Sequence, residues 1–219
     1  MIKDEKIKKD IVDHLYGDSR VDASEVAVRV SNGRAVLSGN VPTLASAMAA
    51  EEDSYAVEGV VFVENRLVVT PHSFTEIPSD RELKKNIEAV LKWNADLEST
   101  EVRISVVEGR VVLDGAVESY WKKVRVEDIV TPLKGVAEVV NKLAVVPTEN
   151  VGDMSLAERV VAGLGRNLLV DVRNILVEVE NGRVRLSGTL PNRPAAEAAR
   201  DTVIRTAGVR EIQNDLIIR

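Results

Sequence analysis

One eight-residue pattern occurs three times in this chain and constrains its fold more than any other feature. Residues 32–39 read NGRAVLSG, residues 108–115 read EGRVVLDG and residues 181–188 read NGRVRLSG, at separations of 76 and 73 residues. Two further patterns keep the same separations: a Gly-Val pair that begins at residues 59, 135 and 208, and an Asn-x-Leu that begins at residues 65, 141 and 214. This period predicts three copies of one small domain, at residues 1–70, 77–146 and 150–219.

The composition limits the classes of protein to which the chain can belong. It has no cysteine, which excludes disulfides, thiolate metal sites and a cysteine nucleophile. Its net charge of −6 argues against nucleic acid as a partner. No apolar run approaches the roughly 20 residues of a transmembrane segment. We therefore expect a soluble, cytoplasmic protein, or a periplasmic one if a signal peptide has been removed.

Each repeat begins with an amphipathic helix and continues into a hairpin. In the first repeat, Ile7, Ile11 and Leu15 recur every four residues, which places them on one helix face. The apolar alternation of residues 26–30 predicts a half-buried strand, and Asn32-Gly33 is typical of a two-residue type I′ turn. That turn would place residues 26, 28 and 30 opposite residues 39, 37 and 35, with all six side chains on one face.

A second helix and a third strand complete each repeat. The order α-β-β-α-β predicts an α+β fold of three tandem repeats, each a three-stranded mixed sheet with two helices packed on one face. The repeated glycines are interpreted as structural: the first of each set forms the turn, the second lets a helix approach the sheet, and the third belongs to the Gly-Val pair. These glycines are Gly33, Gly39 and Gly59; Gly109, Gly115 and Gly135; and Gly182, Gly188 and Gly208.

The repeated asparagines allow two interpretations. Asn65, Asn141 and Asn214 each lie in a predicted strand of alternating apolar residues, where a polar side chain is unexpected. They could contact a ligand, but a hydrogen bond to nearby backbone at a strand irregularity is the favoured interpretation.

Catalytic and metal-binding patterns are missing from the sequence. The only histidines are His14 and His72, and neither position holds histidine in the other repeats. Asp10, His14 and Asp18 have helical spacing, which surface charge explains more simply. We therefore predict no catalytic residue, no metal site, no cofactor and no enzymatic activity.

The most distinctive candidate site lies in the second repeat, which holds both tryptophans. The first helix should end near Trp93, and the second should begin near Tyr120 at the same edge of the domain, where its free N–H groups would attract anions. Aromatic side chains beside basic ones suit the headgroup region of a bilayer. A tryptophan packed between repeats is an equally weighted alternative. The predicted edge comprises Lys92, Trp93, Tyr120, Trp121, Lys122, Lys123 and Arg125.

The repeated features together resemble the BON domain, a bacterial family named for osmotic-stress and nodulation proteins. The matching features are the Asn-Gly or Glu-Gly turn, the Leu-x-Gly that follows it, and the Gly-Val and Asn-x-Leu patterns. The resemblance implies a non-enzymatic protein connected with the bacterial envelope, osmotic shock protection and phospholipid binding.

From these observations we predict a stress-associated protein that binds anionic phospholipid reversibly, mainly through the second repeat. Two alternatives are a protein-interaction scaffold whose repeats dock on one another, and a module that binds a small ligand or a cation. The expected partner is anionic phospholipid or an unidentified protein.

Overall fold

A computed structural model describes residues 3–70, 77–97, 101–149 and 151–218. Residues 71–76, which include His72 and lie between the first two predicted repeats, are outside the described residues. The first repeat contains α1 (Asp4–Gly17), β1 (Val26–Ser31), β2 (Arg34–Val41), α2 (Leu44–Ala56) and β3 (Phe62–Val69). The second contains α3 (Asp80–Lys92), β4 (Glu101–Val107), β5 (Arg110–Val117), α4 (Tyr120–Val130), β6 (Glu138–Asn141) and β7 (Ala144–Val145). The third contains α5 (Asp153–Gly165), β8 (Ile175–Glu180), β9 (Arg183–Leu190), α6 (Arg193–Ile204) and β10 (Glu211–Ile218).

The predicted α+β architecture is confirmed. The second strand of each hairpin is central in its sheet, and in the first and third repeats it is antiparallel to the strand before it and parallel to the last strand. The predicted register is also confirmed, because residues 26, 28 and 30 pair with residues 39, 37 and 35. In the second repeat the last strand is interrupted after Asn141, so β6 and β7 both pair with β5.

Contacts between residues divide the chain into two compact units, and the division falls inside the second repeat. One unit comprises residues 1–88, 105–111 and 129–140, and the other comprises residues 89–104, 112–128 and 141–219. The first repeat lies wholly in the first unit, and the third repeat lies wholly in the second.

Each repeat has two distinct ends. At the turn end lie the start of the first helix, the hairpin turn, the end of the second helix and the start of the last strand. At the open end lie the end of the first helix, the start of the first strand, the end of the second strand and the start of the second helix. The parallel pairing of the last two strands brings the end of the last strand to the open end as well.

The core of each repeat forms where the helices cover one face of the sheet. Ile7, Ile11 and Leu15 of α1 are buried together with Ala35 and Leu37 of β2. In the third repeat, Arg185 lies between the buried Val184 and Leu186 of β9. Its side chain therefore belongs to the outer face of the sheet, and it is exposed.

For Gly39 and Gly188, the role predicted for the second glycine of each set is wrong. Gly39 has φ +120°, and a Cβ there would lie 1.9 Å from the carbonyl oxygen of Glu25. The equivalent Gly188 would meet the carbonyl oxygen of Asn174 at 2.0 Å. The close neighbour is therefore a 3₁₀ turn that precedes the first strand, and not a helix. Short 3₁₀ turns leave no periodic pattern, which is why the sequence did not reveal this contact.

A carboxylate at the start of each first helix holds the hairpin turn. Asp4 accepts hydrogen bonds from the backbone N–H groups of Asn32 at 2.9 Å and Gly33 at 3.2 Å. Both turn residues have positive φ, so their N–H groups point to one side, toward the carboxylate. Asp80 binds the turn at residues 108–109 in the same way, and Asp153 binds the turn at residues 181–182. We call this arrangement the Asp–turn clamp.

Removal of one clamp carboxylate should destabilise the repeat that contains it. Asp153→Ala leaves two N–H groups without their charged acceptor, so we expect a loss of about 1–2 kcal/mol in the free energy of unfolding. Urea denaturation followed by circular dichroism measures this loss. Glu158→Ala, at an exposed carboxylate on the same helix, is the control; an equal loss in both variants would show that the clamp adds no specific stability.

The first repeat should be the least stable of the three. Its α2 buries only alanine and serine side chains, whereas α6 of the third repeat also buries Val203 and Ile204. Less apolar area therefore leaves water when α2 packs. Native-state hydrogen exchange should show the fastest exchange of strand amides in the first repeat. Greater protection there than in the third repeat would contradict this expectation.

Candidate functional site

The predicted aromatic and basic residues of the second repeat lie where two helices meet the open end. Helix α3 begins at the clamp residue Asp80 and runs away from the turn, so Lys92 and Trp93 follow at the open end. The Trp93 backbone N–H still donates to Ala89 at 3.1 Å. Trp93 is nevertheless 89% exposed, and the neighbouring Lys92 is exposed as well. A tryptophan left in water in this way is a candidate contact for an amphipathic partner.

Tyr120, at the first position of α4, has a different environment. It packs against the hydrophobic core cluster of the third repeat, within the second compact unit. Burial raises the pKa of the Tyr120 hydroxyl above its ordinary value, and the nearby Arg200 of the third repeat opposes that shift. An aromatic contact between repeats therefore exists, and a tyrosine makes it.

The remaining residues of the predicted edge are unequally exposed. Lys122 donates to Glu118 at 2.7 Å, and its side chain is only 14% exposed. Trp121 and Lys123 are half-buried, whereas Arg125 is exposed. Lys123 also lines an open cleft of about 530 Å³ together with residues of the third repeat. Of the predicted edge, only Lys92, Trp93 and Arg125 are thus exposed.

The start of α4 differs from the equivalent helix starts in the other repeats. The Thr43 hydroxyl accepts the N–H of Ser46 at 3.0 Å, and the Asn192 side chain accepts the N–H of Ala195 at 3.0 Å. In the described part of the chain, the hydroxyl of the equivalent Ser119 makes no hydrogen bond. Helix α4 therefore lacks this side-chain cap.

Asn65 and Asn141 connect the last strand of their repeats to the second helix. The Asn65 amide donates to the Ala47 carbonyl at 2.9 Å and to Glu51 at 3.1 Å, and its side-chain oxygen accepts from the Leu67 N–H. Asn141 repeats this set with Lys123, Glu127 and Leu143. The exposed Asn214 accepts from the Leu216 N–H at 3.3 Å. At Asn65 and Asn141 these bonds occupy the side-chain amide groups through which a ligand would be bound.

The acidic residues near His14 are engaged by neighbouring cations. Asp10 pairs with Lys6 at 2.7 Å, and Asp18 pairs with Arg20 at 2.6 Å. Among the described residues, no group of three or more potential metal ligands is positioned to hold an ion.

Comparison with known proteins assigns the fold to a family. The sequence pattern of the BON domain matches residues 3–71, 79–147 and 152–219. The chain belongs to the BON domain family. We number the three matched segments BON repeats 1, 2 and 3 in chain order.

Several bacterial relatives are similar over about two BON repeats. Osmotically-inducible protein Y of Escherichia coli is 26% identical over 143 residues, which cover 63% of this chain and 71% of the relative. The outer membrane lipoprotein DolP of Haemophilus influenzae is 29% identical over 141 residues, or 64% and 72% of the two chains. An uncharacterised protein of Anaplasma centrale is 29% identical over 138 residues, or 62% and 87%.

None of the six helices in the described ranges combines the length and the apolarity that crossing a bilayer requires.

The contact made by Tyr120 should stabilise BON repeat 3. Tyr120→Ala removes an aromatic ring that is half-buried against the core of that repeat, so we expect a loss of about 1–2 kcal/mol in the free energy of unfolding. Thermal denaturation measures the effect. Tyr16→Ala, at an exposed tyrosine of α1, is the control and should change stability little. Equal stability of the two variants would show that the Tyr120 contact contributes nothing.

Proposed function

We propose that this protein is a non-catalytic, stress-associated binding protein that attaches reversibly to anionic phospholipid surfaces, mainly through the open end of BON repeat 2. One relative is named for osmotic induction and another is named an outer membrane lipoprotein, and these names support a role at the envelope. They favour the periplasmic alternative over the cytoplasmic prediction.

The observation that carries the proposal is the exposure of Trp93. A tryptophan side chain is large and apolar and has one N–H donor, so the interface between headgroups and acyl chains suits it better than water. Lys92 stands beside it and can approach lipid phosphates.

The contact should be reversible and sensitive to salt. A few basic side chains and one tryptophan bind a membrane far more weakly than a transmembrane helix does. The Coulomb attraction between exposed cations and anionic lipids is screened over about 10 Å at 0.1 M salt. Reversibility suits a protein that responds to changing osmotic conditions.

A docked scaffold is the second candidate function. The packing of Tyr120 against the core of BON repeat 3 favours it, because this contact holds two repeats of one chain together. Docking of repeats and membrane attachment use different residues of the same edge, so the two functions are compatible.

Substitution of Trp93 tests the proposed membrane contact. We expect Trp93→Ala to weaken binding to vesicles of phosphatidylglycerol and phosphatidylcholine by about tenfold, because about 1.4 kcal/mol of interfacial burial would be lost. Co-sedimentation at low salt measures the affinity, and pure phosphatidylcholine vesicles should bind weakly.

The matched control is Tyr16→Ala, which removes an exposed aromatic side chain at the equivalent end of the first helix in BON repeat 1. It should leave vesicle binding unchanged. If both variants bind as the parent does, Trp93 is not the membrane contact.

A further inference from the structure

The open end of BON repeat 3 exposes an unusual number of large apolar side chains. Leu168 is fully exposed, and four others are each at least 48% exposed. Single exposed leucines are common in proteins, but a group of five at one end of a small domain marks an interaction surface. The five residues are Leu168, Leu169, Leu176, Ile217 and Ile218.

Strand pairing brings these residues around the end of β9. The antiparallel pair places Leu176 opposite Ser187, and the parallel pair places Ile217 opposite Thr189 and Ile218 opposite Leu190. Leu168 and Leu169 line an open cleft of about 600 Å³ together with Thr189, Leu190 and Pro191. We call the five exposed residues the apolar end of BON repeat 3.

The fold itself does not require the three leucines of this apolar end. At the positions of Leu168 and Leu169, BON repeat 1 has Ser19 and Arg20, and BON repeat 2 has Ala95 and Asp96. The position of Leu176 is occupied by Ala27 and Arg103 in those repeats. Because the same α-β-β-α-β unit forms with polar or small residues there, the leucines serve something other than the core.

Basic side chains flank the apolar end. Arg166 follows the end of α5, Arg173 precedes β8 and Arg193 begins α6. Arg173 is 85% exposed in its pair with Asp171, and Arg193 is paired with Glu197. In a symmetric dimer formed through this end, the arginines of one copy would face the arginines of the other, and their like charges would repel. An anionic lipid surface instead supplies hydrocarbon for the leucines and phosphate for the exposed Arg166.

We propose that the apolar end of BON repeat 3 is a second membrane contact, which inserts Leu168 and Leu169 into the interfacial region of an anionic bilayer. The inference rests on the proposed function and adds a surface that acts independently of Trp93. Two weak contacts on one chain give a higher apparent affinity than either gives alone, when both can engage.

The first test is a double substitution of the inserted leucines. Leu168→Ser with Leu169→Ser should weaken binding to phosphatidylglycerol–phosphatidylcholine vesicles by about tenfold, because two exposed apolar side chains are lost from the bilayer contact. The melting temperature should stay unchanged, since both residues are exposed. The matched control is Met154→Ser, at a residue that is 79% exposed at the turn end of the same repeat. Binding by the control should equal that of the parent.

A second measurement reports insertion directly. The chain has no cysteine, so Leu168→Cys offers a single site for an environment-sensitive fluorophore. Its emission should shift to the blue when anionic vesicles are added, and high salt should reverse the shift. Unchanged emission, together with unchanged binding by the double-serine variant, would overturn the second contact.

The outcomes separate this inference from the proposed function. If only Trp93→Ala weakens vesicle binding, the contact in BON repeat 2 stands and the one in BON repeat 3 is wrong. If only the double-serine variant weakens binding, the contact in BON repeat 3 stands and the one in BON repeat 2 is wrong. A parent that binds no anionic vesicles overturns both. A parent that dimerises without vesicles, through contacts that the double-serine variant loses, would identify a second copy as the occupant and overturn the lipid contact.

Discussion

Two hydrogen bonds from a hairpin turn to one carboxylate organise each repeat. A type I′ turn leaves the N–H groups of its two central residues outside the strand ladder, and a carboxylate in the first turn of the preceding helix accepts both. The same carboxylate is favoured there by the positive end of the helix dipole. One aspartate thus stabilises its helix and fixes that helix against the sheet.

The neighbouring contacts depend on this arrangement. The carbonyl of the turn glycine accepts the N–H that begins the last strand, at 2.8 Å from Val61 in the first repeat and 2.9 Å from Arg210 in the third. A Cβ on Gly33 would meet the Gly59 carbonyl oxygen at 2.7 Å, so the turn and the Gly-Val segment approach as closely as backbones allow. Farther along the last strand, Asn65 holds the second helix. A domain of about 70 residues has a small core, and these polar connections supplement it.

Much of the fold could be predicted because local signals agreed with one another. The Asn-Gly turn and the alternation around it specified the same register, and the period of the chain identified three copies. The clamp was missed although Asp4, Asp80 and Asp153 keep the same separations, because an aspartate at a helix start already has a local explanation. Its partners lie 28 and 29 residues away, which no local pattern reveals.

The candidate site was harder to predict than the fold. Topology correctly suggested that the end of α3 and the start of α4 lie at one end of a repeat, but it could not show that Tyr120 is covered by the next repeat. That coverage depends on packing between segments far apart in sequence. The exposed Leu168 and Leu169 were overlooked for the opposite reason, since apolar residues in a short loop carry no periodicity.

The two ends of a repeat also differ in how freely their sequences can change. Backbone approach, positive φ and the Asp–turn clamp restrict the residues at the turn end, where the three copies share the clamp aspartate, the turn glycine and the Gly-Val pair. At the open end the copies hold Gly17, Trp93 and Arg166 at one position with no change of fold. Duplication of such a unit preserves a folding module at one end and supplies a variable surface at the other. One chain can therefore acquire several binding preferences while the residues that determine its fold stay the same.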